Sequence, residues 1–422
     1  MNHCARTLQT LLPTLHPTKN SVVARINRNA TPLLLSSRGI RLQSQNRAFA
    51  SMAVADIISI ADRLDIDQHA SMKPTPLCAS VLDRSIQPEE AAHFIKSEFP
   101  IRCAERIRMI ECLPYQDEDE LLEVHKRHIQ SFLTMRRIAS NDLEYNEKEF
   151  ISVVSEILSY DEDTILLMMK GLHQLSKERP DEMNAQYVNS FLDAFLLNRL
   201  GTEVMLKQYL AYVGIRGNVF ERSCNIMAVT RDTAQAVQRL CVRKTGVRPK
   251  ITLEAASVLK DDKEGVPIFS CIPGAISFVL QEILKNSCHA TAMSEGATDY
   301  NEIAKRPISV IISADEKHVK IRVSDRAGGI PFEVGKNVWS YLYTTANTNV
   351  QDATELAGFG VGLPLSRLYT QYMGGSMNLV SLPGYGTQAY VFLPRDTISQ
   401  CEVVPDLDHE WHVQEPIGEF IL

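Results

Sequence analysis

Glu282, Lys285, Asn286 and His289 stand at i, i+3, i+4 and i+7 of the run Glu282–His289. On a helix that spacing puts a carboxylate, an ammonium, an amide and an imidazole on one face. Such a face cannot pack against a sheet without polar partners. An Asn carbonyl oxygen beside phosphates is what octahedral magnesium accepts, because that ion keeps several waters and needs few protein ligands. A carboxylate one turn earlier can take a proton from an attacking hydroxyl. A solvated helix face would carry the same octet.

Three further groups follow in the chain. Asp325, in Ser324–Pro331, stands at the end of an alternating segment and is followed by Gly328 and Gly329. Glycines there leave room for a planar ring, and Asp325 can accept a hydrogen bond from an adenine amino group. Alone, the segment is equally an ordinary exit from a strand into a turn. Gly358, Gly360 and Gly362 alternate with Phe359, Val361 and Leu363, just before Pro364. Alternating glycines that open a helix offer bare amides and the helix N-terminus to phosphate oxygens. Pro364 in the first turn suits a helix start. The loop is not a Walker A loop, since it lacks Gly-Lys-Ser/Thr, and no strand directly precedes it as a Rossmann fingerprint requires. Gly384-Tyr385-Gly386-Thr387 reads alone as a hairpin turn.

These residues need a scaffold, and the hydrophobic pattern supplies one. Pro273–Ser294 and Leu363–Tyr372 have helical periodicity. Ile308–Ser313 and His318–Asp325 read as a hairpin across Asp315–Lys317, with Val319, Ile321 and Val323 alternating with Lys320, Arg322 and Ser324. A second hairpin joins Ser376–Leu382 to Gln388–Leu393 across Pro383–Gly386. Two hairpins interleaved with helices predict an α/β sandwich over 225–395, with helices on one face of a mixed sheet. Residues 56–215 carry helix-spaced apolar residues in five segments, among them Phe94 to Ile110, Leu121 to Phe132 and Phe191 to Leu206. Such segments predict an antiparallel helical bundle. Asn141–Asn146 and Lys177–Asn184 read as its loops, and Asp161–Asp163 suits the positive end of a helix dipole. Residues 396–422 are left as a C-terminal tail.

The chain of 422 residues, 45% hydrophobic and 23% charged, fits a soluble globular protein of two or three domains. No apolar run approaches the ~20 residues that span a bilayer, so no transmembrane segment is expected. A net charge of -7 argues against nucleic acid as a partner. Nine cysteines without a C-x-x-C pair give neither a zinc signature nor a disulfide framework. Residues 1–55 contain no Asp or Glu but carry six arginines and Lys19, the composition of a mitochondrial transit peptide over 1–50. Without those seven charges the remainder holds 37 basic and 51 acidic residues, a net charge of -14. A basic tail that binds something anionic is the other reading of the leader.

The four groups, in this order, resemble the four nucleotide-binding boxes of the GHKL ATPase superfamily, to which gyrases and histidine kinases belong. Trp339–Ala346, Leu356–Tyr369 and Gln371–Gly375 narrow the resemblance to the mitochondrial pyruvate dehydrogenase kinase and branched-chain ketoacid dehydrogenase kinase family. Glu98-Phe99-Pro100-Ile101-Arg102 resembles that family's E-L-P-V-R, and Phe191-Leu192-Asp193 with Arg199-Leu200 its last long bundle helix. The resemblance covers about 70 to 422. It implies an N-terminal four-helix bundle, a C-terminal histidine-kinase-like domain, and phosphate transfer from ATP, with Mg2+, to a serine of E1α of a mitochondrial 2-oxoacid dehydrogenase complex. It further implies docking on the lipoyl domain of E2, a homodimer, and the mitochondrial matrix. By position, Glu282 would be the general base and Asn286 the magnesium ligand, with Lys285 and His289 beside them. Asp325 would bind adenine with Gly328 and Gly329 next to it, and Thr387 would sit near that pocket. Thr344 and Thr345 would lie in the ATP lid, and Gly358–Leu363 along the phosphates.

The chain departs from the family in places. His289 and Ala327 stand where it has Arg and Gly, Glu203 and Tyr209 where it has Arg and His, and its usual His near Asp161 is missing. Ala327 is expected to be strained if the backbone there needs a positive φ, and the link from bundle to active site is expected to be weaker. Glu410-Trp411 and Leu356-Ala357-Gly358 tilt the substrate towards the pyruvate complex. Three other readings remain: a branched-chain kinase, a catalytically weak ATP-binding scaffold, and a two-component histidine kinase, for which His125 or His128 would have to accept phosphate.

Overall fold

The computed structural model describes residues 58–77, 86–115, 118–139, 145–258, 265–294, 303–344, 359–396, 402 and 420–421. The leader, Asn141–Glu144, Thr345–Gly358 and Glu410-Trp411 lie outside these residues, so the expectations placed on them do too.

Among the described residues six helices come first: α1 (Ile60–His69), α2 (Pro88–Glu111), α3 (Asp119–Ala139), α4 (Glu147–Asp161), α5 (Thr164–Glu178) and α6 (Ala185–Tyr212). Short polar side chains set several starts. Asn146 accepts from the Glu149 amide at 3.3 Å and Asn184 from the Tyr187 amide at 2.9 Å, each satisfying one of the donors a helix N-terminus leaves open. The α4–α5 break falls at Glu162–Asp163. The acidic cluster stands at the N-terminus of α5, with Asp163 as its N-cap residue. Asp163 makes no side-chain cap bond there, and Asp161 also pairs with Arg199 of α6 at 2.8 Å.

The Glu98–Arg102 motif is a buried ionic clamp. Arg102 is 1% exposed; its Nε donates to Glu98 Oε1 at 2.8 Å, and its two Nη atoms donate to Glu402 of the tail at 2.7 and 2.6 Å. Burial pushes the Glu98 carboxyl up against the pull of Arg102, and the nearby Glu402 charge adds to that push.

The second half begins with β1 (Glu221–Asn225), α7 (Ile226–Thr245), β2 (Ile251–Ser257), β3 (Ile268–Cys271) and α8 (Pro273–Met293). Then come β4 (Ile308–Ala314), β5 (His318–Ser324), the short α9 (Phe332–Gly335), α10 (Gly362–Tyr372), β6 (Ser376–Leu382), β7 (Gly386–Pro394) and β8 (Phe420–Ile421). β1 and β3 form an antiparallel pair. The other strands form a mixed sheet in the order β2-β4-β5-β7-β6-β8, with β2/β4 and β6/β8 parallel. Both expected hairpins are present, in registers that pair Val310 with Val323 and Leu379 with Ala389. β4 and β5 alternate buried and less buried positions. Their buried face packs in one core with Val237 of α7 and Leu280, Ile283 and Leu284 of α8, as an amphipathic layer on a half-buried sheet requires.

A second core is shared by the two halves. Phe191, Leu192 and Phe195 of α6 and Leu172 of α5 pack with Tyr341, Phe359, Val361, Leu365 and Leu368. The glycine segment is therefore held from behind by the bundle.

Candidate active site

α8 presents the polar face that the spacing requires. Asn286 and His289 are exposed, Glu282 and Lys285 half-buried, while Ile283, Leu284, Ser287 and Cys288 turn into the protein. Lys285 Nζ donates to Glu282 Oε1 at 2.7 Å, a pairing that orients the carboxylate at the cost of one of its oxygens. The other oxygen meets the glycine loop. A Cβ placed on Gly362 would come within 2.5 Å of Glu282 Oε2. With glycine at this position the N-terminus of α10 approaches the tip of the Glu282 side chain without displacing it.

Asp325 lies where the β5–β7 ladder ends, one residue past the Ser324–Gln388 pair. It is 5% exposed. Its Oδ1 accepts from the amides of Ala327 at 3.1 Å and Thr387 at 3.2 Å, and its Oδ2 from the Ser287 hydroxyl at 2.9 Å. Burial pushes its pKa up, and these three donors pull it down. The hairpin turn is laced to the same place: the Gly384 amide donates to Gly328 O at 2.7 Å, and a Cβ on Gly386 would meet Asp325 O at 2.2 Å. Gly328 and Gly329 both take positive φ, whereas Ala327 does not. The expectation of strain at Ala327 is thus overturned, because the turn places its left-handed residues one and two positions later.

Other side chains divide differently from their sequence grouping. Phe359 and Val361, 1% and 4% exposed, point into the core shared with the bundle, leaving only backbone from these positions for phosphate. Leu363 packs against the sheet-side core. Thr344 is half-buried at the end of a segment whose Leu342 has φ +62°. Among the described residues it is the one non-glycine with positive φ, and strain of this kind collects at functional sites. Thr345 and Gly358 lie outside the described residues. Ser287, which stood in the octet without a role, was missed; its signal was a hydroxyl one step round the helix from Asn286.

The residues fit a nucleotide. A buried carboxylate with an acceptor position left suits an amino-purine, and the α10 N-terminus against Glu282 suits phosphates. Among the described residues no group of three or more His, Cys, Asp or Glu side chains can hold a metal. A single Asn ligand is compatible with magnesium, since phosphates and waters complete its shell.

His125 and His128 are unfit to accept phosphate. Both are buried; His125 bonds Glu111 at 3.2 Å and Tyr115 at 2.9 Å, and burial lowers the His128 pKa to about 3.

Comparison with known proteins agrees with this geometry. Residues 81–220 match the family profile of mitochondrial branched-chain alpha-ketoacid dehydrogenase kinase, and residues 272–397 that of histidine kinase-, DNA gyrase B- and HSP90-like ATPases. The mitochondrial [pyruvate dehydrogenase (acetyl-transferring)] kinase of Arabidopsis thaliana is 30% identical over 327 residues, covering 72% of this chain and 84% of its own. Human isozyme 4 is 26% identical, covering 81% of this chain and 86% of its own, and the Ascaris suum kinase 29% identical, covering 74% and 80%. The chain belongs to the mitochondrial pyruvate dehydrogenase kinase and branched-chain ketoacid dehydrogenase kinase family of GHKL proteins.

Proposed function

We propose that this protein is a mitochondrial protein serine kinase that uses ATP to phosphorylate, and so inactivate, E1α of the pyruvate dehydrogenase complex. The observation that carries the reading is the approach of the glycine-opened N-terminus of α10 to the Glu282 carboxylate. Phosphoryl transfer asks a protein mostly for positioning and charge neutralisation, and here a proton acceptor and a phosphate-binding helix end meet at one point. Asn286, on the same face, would hold the magnesium, whose chemistry is to neutralise phosphate charge. Asp325 would take the adenine. Lys285 and His289 would flank the phosphates, with Thr344, Thr345 and Thr387 at the rim.

The relatives carry the substrate assignment, since they are named pyruvate dehydrogenase kinases. A second reading has its own support: the profile matched by the helical half is that of a branched-chain kinase. Residence in the matrix, docking on an E2 lipoyl domain and a homodimer complete the proposal. None of the helices among the described residues is long and apolar enough to cross a membrane.

Labelled ATP with each purified complex tests both substrates. Glu282→Gln keeps the shape but cannot accept a proton. It is expected to bind Mg-ATP within a few-fold of wild type and to phosphorylate E1α at least about 100-fold more slowly, as removal of general-base assistance predicts. Equal loss of binding and rate would make Glu282 structural. A wild type that binds ATP but labels neither complex would favour the scaffold.

A further inference from the structure

We infer that the groove between α7 and the edge strand β2 docks an extended acidic peptide segment of a partner protein, which adds to the sheet beside β2. The groove shares no residue with the nucleotide site, and the inference does not depend on the ATP reading. Its walls include Arg231, Arg239 and Arg243 of α7, Arg248 just beyond that helix, and Ile251 and Leu253 of β2. Its volume is about 990 Å³, the size of a large ligand pocket rather than of a lone anion's seat.

Charge is reversed here relative to the rest of the chain. Arg231 to Lys250 carries six cations and a single acid, Asp232, in a protein of net charge -7. All four groove arginines are exposed, and among the described residues none of them is ion-paired or hydrogen-bonded. Asp232 and Glu254, the acids of these two elements, do not line the groove. Unpaired guanidiniums gathered in one groove select carboxylates, which the planar fork of arginine meets two oxygens at a time.

β2 supplies the second half of the site. It ends the six-stranded sheet and, among the described residues, pairs with β4 alone. Half of its backbone donors and acceptors therefore face outward, a template on which an extended chain adds as a further strand. Ile251 and Leu253 lie on one face of β2 and are half-buried, so they offer apolar contact beside the arginines. The spacing agrees. Arg231, Arg239 and Arg243 stand in one i, i+4 row with Gln235, at about 0, 12 and 18 Å along α7. Alternate side chains of an extended chain recur every ~6.6 Å, so acids at every second position come into register with that row. An anionic membrane surface would feel the same charge but would have no use for a strand edge. Edge charges also keep two copies of a sheet from joining, and the test separates that role from docking.

The test measures fluorescence anisotropy of a labelled octapeptide of alternating Val and Glu against the full chain. The peptide is expected to bind, and to bind more weakly as salt rises. Arg239→Glu with Arg243→Glu, both on the surface, is expected to weaken it at least tenfold while leaving Tm unchanged. The matching Val-Lys peptide is expected to bind this double variant and not wild type. Methylating the amides of all Val, or of all Glu, blocks one edge of the peptide or the other, and one of the two forms is expected to lose binding. Unchanged affinity in the double variant would overturn the inference, and so would parent-like binding of both methylated forms, which leaves only diffuse attraction. Wild type that binds phosphatidylcholine vesicles containing cardiolipin but not the peptide would make the groove a membrane contact instead. Wild type that binds no peptide, with self-association of the double variant, would make the arginines guards of an exposed edge and overturn the inference too.

Discussion

The Tyr341 hydroxyl donates to Asp193 Oδ1 at 2.7 Å, joining the segment that leads to Thr344 to the last helix of the bundle. The link is doubled. The Tyr341 amide donates to Asn189 Oδ1 at 2.9 Å, and Arg367 of α10 reaches Asp193 Oδ2 at 3.0 Å. One carboxylate of α6 therefore touches both the strained turn at Leu342 and the helix that the glycine loop opens. Sequence departures had pointed to Glu203 and Tyr209 as a weak link between bundle and site. Those residues are engaged inside the bundle, Glu203 with Arg199 and Lys207, and Tyr209 with the Tyr145 hydroxyl at 2.7 Å. The hydrogen bonds from α6 to this segment lie about three to six turns earlier, at Asn189 and Asp193.

Asp193→Asn tests this connection. The amide keeps the shape but weakens the bonds to Tyr341 and Arg367. Phosphorylation of E1α is expected to slow about tenfold, roughly 1.4 kcal/mol in the barrier, while Tm falls by only a few degrees. Wild-type turnover would show that the bundle holds this segment without consequence for catalysis.

Asn286→Ala addresses the metal. Asn286 is exposed on α8, so its loss should leave the helix intact. Mg-ATP affinity is expected to fall tenfold or more, about 1.4 kcal/mol, with little change for ATP measured in EDTA. Asp325→Ala should weaken both equally. Equal affinities of wild type and Asn286→Ala for Mg-ATP would move the magnesium site elsewhere.

Acid stability isolates one bundle cluster. Burial pushes the Glu111 carboxyl up, but hydrogen bonds from His125 and Arg63 overcome it and hold the pKa at about 2, below the ordinary 4.5. A depressed carboxyl contributes stability that is present above its unfolded value and lost as pH falls through the folded one. Wild type should therefore lose stability between about pH 4.5 and 2. Glu111→Gln should be less stable above pH 5, by roughly 2 kcal/mol, and should show a flatter decline in that window. Denaturant titrations of both proteins at pH 3 and 7 read the difference, and parallel curves would refute it.

What the sequence determined by itself is local. Helix periodicity placed Glu282, Lys285, Asn286 and His289 on one face, and strand alternation placed Asp325 at a strand end, because side-chain direction follows directly from backbone period. Alternating glycines marked a helix start for the same reason, since a missing Cβ is legible in the letters. What only the tertiary structure decided is which of these faces meet. That Gly362 lies against Glu282, that Ser287 holds Asp325, and that Asp193 holds Tyr341 are relations across 80, 38 and 148 positions of chain. The same packing turned Phe359 and Val361 away from the phosphates and relieved Ala327 of strain. A residue's type and neighbours fix its chemistry, but its partners are fixed by how two cores close around the glycine segment. That closure depends on the summed burial of side chains from both halves, which no local pattern contains.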